Sequence, residues 1–147
     1  MKLLIINGPN LNLLGRRQPE IYGCESMESC LDRLRRRFPD VAIDYFQSNH
    51  EGGIIDELHR RGMDPAGCDG IILNAGAYTH TSLAIADAIS SIEVPVIEVH
   101  LSNVASREPI RRTSLIGGVC LGVVAGFGTD SYRLAAEAFM ERLQKNS

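Results

Sequence analysis

Short apolar runs recur along the chain, and most are followed by stretches whose apolar residues return every three or four positions. The first run, Lys2 to Ile6, stops at Asn7-Gly8-Pro9-Asn10, which predicts a strand that ends in a turn. Met27, Cys30, Leu31, Leu34 and Phe38 then recur at helical spacing. Arg33, Arg35, Arg36 and Arg37 fill the other face, so a helix is predicted from Ser26 to Phe38. Val41 to Gln47 reads as a second strand. Ile54, Ile55, Leu58 and Met63 mark a second helix, with Gly62 as a left-handed cap at its end. Gly70 to Leu73 is the third strand, and Leu83, Ala86, Ile89 and Ile92 give the third helix. Val96 to Val99 and Val119 to Ala125 are the fourth and fifth strands. Tyr132, Ala135, Ala136, Phe139, Met140 and Leu143 form a last amphipathic helix.

Strand and helix alternate throughout, and the strands lack clean alternation of apolar and polar positions, as expected when helices cover both faces of a parallel sheet. The expected fold is α/β, a flavodoxin-like three-layer sandwich with a five-stranded parallel sheet, in a single domain over 1–147. Ligands of such sheets sit beyond the carboxyl ends of the strands, where strand order reverses. Asn10, Asn74 and His100 each follow a predicted strand at that edge.

Composition narrows the chemistry. A formal charge of −3 over 147 residues lacks the basic excess that duplex nucleic acid requires, so no nucleic-acid partner is expected. The first apolar run stops too early for a signal, and Gly117, Gly118, Gly122 and Gly126 interrupt the most apolar region. No membrane partner is expected, and the location is read as cytoplasmic. Cys24, Cys30, Cys68 and Cys120 form no Cys-x-x-Cys pair and no zinc-like cluster with His50, His59, His80 or His100. They read as reduced thiols, Cys30 and Cys120 in the core, with no metal. The only lysines, Lys2 and Lys145, lie at the chain's extremities, which argues against a catalytic imine.

Four segments carry candidate chemistry. Leu11 to Glu25 is long for a connection in so small a domain and carries Arg16, Arg17 and Tyr22, so it reads as a lid closing on a ligand, or else as a solvated loop. Glu98 and His100 project from one face of a strand, which lets the carboxylate hold an imidazole nitrogen, either for acid catalysis or as a satisfied core pair. Leu101-Ser102-Asn103 followed by Arg107, Arg111 and Arg112 suits an anion, with Arg107 and Arg111 on one face if the segment is helical; a solvated helix face is the other reading. Asn74 through Ser82 places small residues and hydroxyls before a helix, an N-terminus that favours a carboxylate. Capping alone explains Thr79, Thr81 or Ser82, but not Asn74 or His80.

In these residues the chain resembles the type II 3-dehydroquinate dehydratases, over almost its whole length. The resemblance rests on five motifs in order: Asn7 through Asn12; Leu14 through Arg17 with Tyr22-Gly23; Gln47 through Gly52; Asn74 through Ser82; and Glu98 through Asn103. It implies a cofactor-free anti elimination of water from 3-dehydroquinate to 3-dehydroshikimate through an enolate, in aromatic biosynthesis or quinate breakdown. Tyr22 would remove the C2 proton, as a phenolate favoured by the guanidinium of Arg17. Asn10 would hold a water on the enolate, and His100, oriented by Glu98, would protonate the departing C1 hydroxyl. Asn74 and the backbone amides of Leu101 and Ser102 would bind the carboxylate, with His80 and Arg111 on the ring hydroxyls. Asp87 would reach across a subunit contact of a trimer, four of which make a dodecamer. Ala75, Ala86 and Ala105 depart from the family's usual residues. Another cofactor-free lyase on the same scaffold, and a binding module that keeps the anion pocket, are the rival readings.

Overall fold

The computed structural model describes residues 1–16, 18–22, 24–64 and 66–146. Five strands, β1 (Lys2–Asn7), β2 (Ala42–Gln47), β3 (Gly70–Asn74), β4 (Val96–His100) and β5 (Gly122–Ala125), form an all-parallel sheet in the order β2-β1-β3-β4-β5. The helices are α1 (Pro19–Tyr22), a single turn, α2 (Met27–Arg37), α3 (Glu51–Gly62), α4 (Leu83–Ser91) and α5 (Asp130–Lys145).

The missing alternation in the strands has a direct cause: both faces of the sheet are covered. Leu3, Ile5, Ile72, Ile97 and Val99 pack under α2 and α5, while Leu4, Ile6, Ile71, Leu73 and Val96 pack under α3 and α4. Successive residues of each strand therefore feed opposite layers, each fully buried aliphatic side chain contributing about 1.5–3 kcal/mol. The three-layer α/β sandwich expected from the sequence is the one observed, and α2 starts one residue after the expected Ser26, which caps it, Ser26 Oγ accepting from the Ser29 N–H at 3.1 Å.

Two elements differ from expectation. Gly62 is not a left-handed cap; it is the last helical residue of α3, buried so closely against α4's end that a Cβ would lie 2.6 Å from Ile92 Cδ1 and 2.9 Å from Ile92 Cβ. Close packing, not backbone handedness, requires glycine there. The fifth strand starts only at Gly122, because Gly117–Val119 forms a 3-10 turn; Cys120 is half-buried instead of lying in the core.

The register sets the functional edge. Asn7 pairs with Gln47 on one side and Asn74 on the other, and Leu73 pairs with Glu98, so β1, β3 and β4 end side by side. The chain leaves β1 for β2 on one flank and reaches β3 on the other, the reversal at which such sheets open a crevice.

Candidate active site

The cleft at this reversal encloses about 530 Å³ of space free of protein atoms, the open solvent at its mouth included. It is lined by Asn10 after β1, Asn74 at the end of β3, His80 beyond it, and His100, Leu101 and Ser102 at the end of β4. Tyr22 on α1 and the guanidinium residues Arg107 and Arg111 close its other side. Arg17 and Gly23 lie outside the described residues. Asp87 is exposed on α4 and does not line this chain's cleft.

Each polar group is held by a specific partner. His100 is 6% exposed and its Nε2 lies 2.6 Å from Oε2 of Glu98, which is only 1% exposed. The i, i+2 pair read from the sequence thus makes its contact, and the ring nitrogen left for the cleft is Nδ1. The other oxygen of Glu98 accepts from Ser114 Oγ at 2.7 Å. His80 stacks on His100 with centroids 6.0 Å apart, and its Nδ1 meets the Thr113 carbonyl at 2.8 Å. A carbonyl only accepts, so Nδ1 carries a proton and Nε2 is the acceptor whenever His80 is neutral.

Asn10 adopts a left-handed backbone (φ 70°), a conformation asparagine tolerates better than most residues. Its N–H donates to Asn49 Oδ1 at 2.9 Å, and Gln47 Nε2 bridges that oxygen and the Gly8 carbonyl. The Gln47-Ser48-Asn49 motif therefore shapes the turn that presents Asn10. Beneath the cleft, Asn74 Nδ2 donates to the Tyr132 hydroxyl at 3.2 Å, which in turn donates to Asn7 Oδ1 at 2.7 Å. Burial drives the Tyr132 phenol well above its usual range, against the opposing hydrogen bond from Asn74, so this tyrosine stays a neutral relay. One N–H of Asn74 remains for a ligand.

Tyr22 has a different environment. Arg107 Nη1 donates to its hydroxyl at 3.0 Å, and the guanidinium carbon lies 5.3 Å from the ring centroid. The same nitrogen lies 3.4 Å from Ser102 Oγ. Arg107 and Arg111 do not share a helix face, since Val104–Ser106 and Pro109–Arg112 are separate 3-10 turns, yet both reach the cleft, and Arg111 is steadied by Glu108 at 3.1 Å. Nor is the start of α4 the open anion site expected: Ser82 caps it by accepting from the Ile85 N–H, and the chain's own Glu51 carboxylate accepts from Ser82 at 2.5 Å. Sequence reasoning missed the contacts of Arg107 to Tyr22 and Ser114 to Glu98; the first joins residues far apart in the chain, the second follows from a loop path. Among the described residues, no group of three or more His, Cys, Asp or Glu side chains is placed to hold a metal ion, and no helix is long and apolar enough to cross a membrane.

Comparison with known proteins gives a consistent result. The sequence model of the family described as Dehydroquinase class II matches residues 1–140. The 3-dehydroquinate dehydratase of Exiguobacterium sp. strain AT1b is 54% identical over 142 residues, covering 96% of this chain and 95% of the relative. That of Chlorobaculum tepidum is 48% identical, covering 95% and 94%. The crystal structure of type II dehydroquinase from Butyrivibrio crossotus superposes with a TM-score of 0.89 at 43% identity, over 95% of this chain and 97% of that one. With the same strand ends meeting in one polar cleft and a match along nearly its full length, the chain belongs to the class II dehydroquinase family.

Proposed function

We propose that the cleft carries out the reaction of this family with Tyr22 as base and His100 as acid. The enzyme is a 3-dehydroquinate dehydratase, a hydro-lyase that converts 3-dehydroquinate to 3-dehydroshikimate in the shikimate pathway. One observation carries the assignment of roles: Tyr22 and His100 line the same cleft, the first hydrogen-bonded to a cation and the second to a buried carboxylate.

The elimination needs a base at C2, a stabiliser for the enolate and an acid for the C1 hydroxyl. Tyr22 takes the C2 proton, and Arg107 puts positive charge at the oxygen that must be negative to do so. Arg17, which matches the family position that supplies this charge, provides a second cation. Asn10, fixed in its turn by Asn49, holds a water against the enolate oxygen. His100, with Nε2 engaged by Glu98, delivers a proton from Nδ1 to the departing hydroxyl. Asn74 and the amides of Leu101 and Ser102 receive the substrate carboxylate, and His80 and Arg111 take the ring hydroxyls. The segment 11–25 acts as the lid that brings Tyr22 to the substrate. No cofactor takes part, and the whole chain works as one catalytic domain.

The working assembly is a dodecamer of four trimers. Asp87 completes a neighbour's site, which accounts for its position away from its own cleft. Leu83, one turn earlier on α4, and Ile110 are each 66% exposed, apolar surface that a subunit contact would cover. Four free cysteines suit a reducing cytoplasm.

The test follows the conjugated enone's ultraviolet absorbance from 3-dehydroquinate. The parent protein produces it, and Tyr22→Phe abolishes most of it while substrate still binds. Full turnover in Tyr22→Phe refutes the assigned base, and binding without turnover in the parent favours a binding module. Light scattering then reports subunit number, which Leu83→Glu is expected to lower.

A further inference from the structure

The segment Thr113–Gly117 has no part in the steps above, yet both cleft imidazoles are tied to it. The Thr113 carbonyl holds His80, and Ser114 holds the carboxylate that holds His100. We propose that Ser114 is a positioning residue that commits Glu98 to act as a carboxylate acceptor, and so keeps His100 an imidazolium whose Nδ1 proton is ready to transfer. The proposal rests on the reading of His100 as the acid.

A serine hydroxyl has one proton to give and two lone pairs to receive. The N–H groups of Gly117 and Ile116 point at Ser114 Oγ from 2.9 and 3.3 Å and occupy both lone pairs. The single proton is left for Glu98 Oε1, 2.7 Å away. Oε1 is thereby fixed as an acceptor, and the only proton the pair can share lies between Oε2 and His100 Nε2, 2.6 Å apart. Glu98 is 1% exposed with Ser114 in place, so in the parent the hydroxyl and not solvent serves Oε1.

Without that donor, Oε1 would be a buried acceptor with nothing to accept. The carboxyl group would then draw the shared proton from Nε2 to itself, since an uncharged carboxyl tolerates burial better than an unsolvated carboxylate. His100 would face the substrate as a neutral imidazole, which surrenders a proton far less readily than an imidazolium. Cys120 lies against Glu98 as well, with its thiol pushed up to about 12 by burial and then by the charge of Glu98, but a neutral S–H is only a weak donor beside a hydroxyl.

The local backbone is built around this contact. A Cβ on Gly117 would fall 3.1 Å from Glu98 Oε1 and 3.3 Å from Ser114 Oγ, so glycine lets the turn close over the carboxylate. The Leu115 N–H donates to the Thr79 carbonyl at 2.9 Å and pins the segment to the loop that carries His80.

The test uses Ser114→Ala and Ser114→Thr in the full-length enzyme, with His100→Ala as reference. Ser114→Ala is expected to lower kcat about 10- to 100-fold, the scale of losing one hydrogen bond to a charged group, with KM within about threefold of the parent. Ser114 is exposed and threonine keeps the hydroxyl, so Ser114→Thr is expected to retain most of the parental kcat. The strongly downfield proton resonance expected of His100 Nε2–H persists in the parent and in Ser114→Thr but moves in Ser114→Ala. Parental kcat in Ser114→Ala, or equal impairment in Ser114→Thr, overturns the proposal. Loss of turnover in His100→Ala beside full turnover in Ser114→Ala sinks this inference alone, whereas an active His100→Ala sinks the reading of His100 itself.

Discussion

Replacing Arg107 with alanine removes the cation seen on Tyr22, and the size of the effect can be worked from the contact. The guanidinium donates at 3.0 Å, and its side chain is only 15% exposed, so solvent screens it weakly. Two unit charges about 4 Å apart interact by about 4 kcal/mol at an effective dielectric of 20. Some of that is recovered by water entering the vacated space, and hydrogen bonds to charged groups measure about 1.5–3 kcal/mol. Taking about 2–3 kcal/mol, kcat/KM for 3-dehydroquinate in Arg107→Ala falls roughly 30- to 150-fold at 1.36 kcal/mol per decade. Arg107→Lys keeps the charge but not the planar fork and recovers part of the loss. A contribution through Ser102, 3.4 Å from the same nitrogen, is separated by a double-mutant cycle. If Arg107 acts on the phenolate, Arg107→Ala costs little more once Tyr22 is already phenylalanine. Parental kcat/KM in Arg107→Ala, or an undiminished effect in the Tyr22→Phe background, would refute the electrostatic role.

Three further outcomes follow from groups outside the reacting pair. Tyr132→Phe strips partners from two buried asparagines, Asn7 and Asn74, and should cost about 2 kcal/mol, seen as a fall of roughly 4–8 °C in the calorimetric Tm, with KM raised as Asn74 loosens. Thiol titration of the native enzyme should find Cys24 reactive and the other three silent until unfolding, because burial pushes Cys30 and Cys120 up to about 12 and Cys68 up as well. Asp130 is held below the usual carboxylate range, chiefly by hydrogen bonds from Arg133, so its stabilisation is present above its unfolded pKa and fades as pH falls through the folded one. It is 43% exposed, and the difference between parent and Asp130→Asn in denaturant titrations should stay under about 1 kcal/mol near neutrality and vanish in acid.

What could be read in the chain was local. The apolar runs located β1 to β4 within a residue; β1, β3 and β4 are buried on both faces and have no other pattern to show, while the edge strand β2 is buried mainly at Ile43. The helical spacing of Met27, Cys30, Leu31 and Leu34 and the Arg-rich polar face located α2. Glu98 and His100 were visible as a pair because residues two apart on a strand share a face. β5 was overextended because Val119 and Leu121 are apolar yet exposed, and a run of apolar letters does not say which side faces water. Gly62 was misread because a helix-ending glycine looks the same whether it turns the backbone or admits Ile92. Tyr22 and Arg107 are 85 positions apart, and Asn7 and Tyr132 are 125 apart, so no local pattern could join them.

The polar strand ends follow from which helix layer each side chain faces. On β1 and β3, Leu4, Ile6, Ile71 and Leu73 face α3 and α4, so Asn7 and Asn74 fall on the opposite parity and meet Tyr132 of α5. On β4 the polar parity is reversed: Val96, Glu98 and His100 share the α4 face, and the apolar Ile97 and Val99 face α5. That layer's core gives way to polarity after Val96, where the Thr113–Gly117 segment supplies Ser114 to Glu98. The carboxylate is thus buried by a loop and not by a helix, which is why it has a hydroxyl and nearby amides instead of a hydrocarbon wall. Asn7 and Asn74 hang from one face of the sheet and His100 from the other, and the cleft lies where the two meet. A strand cannot slip by one residue without exchanging these faces, so the packing that stabilises β4 also fixes the direction from which His100 meets its ligand.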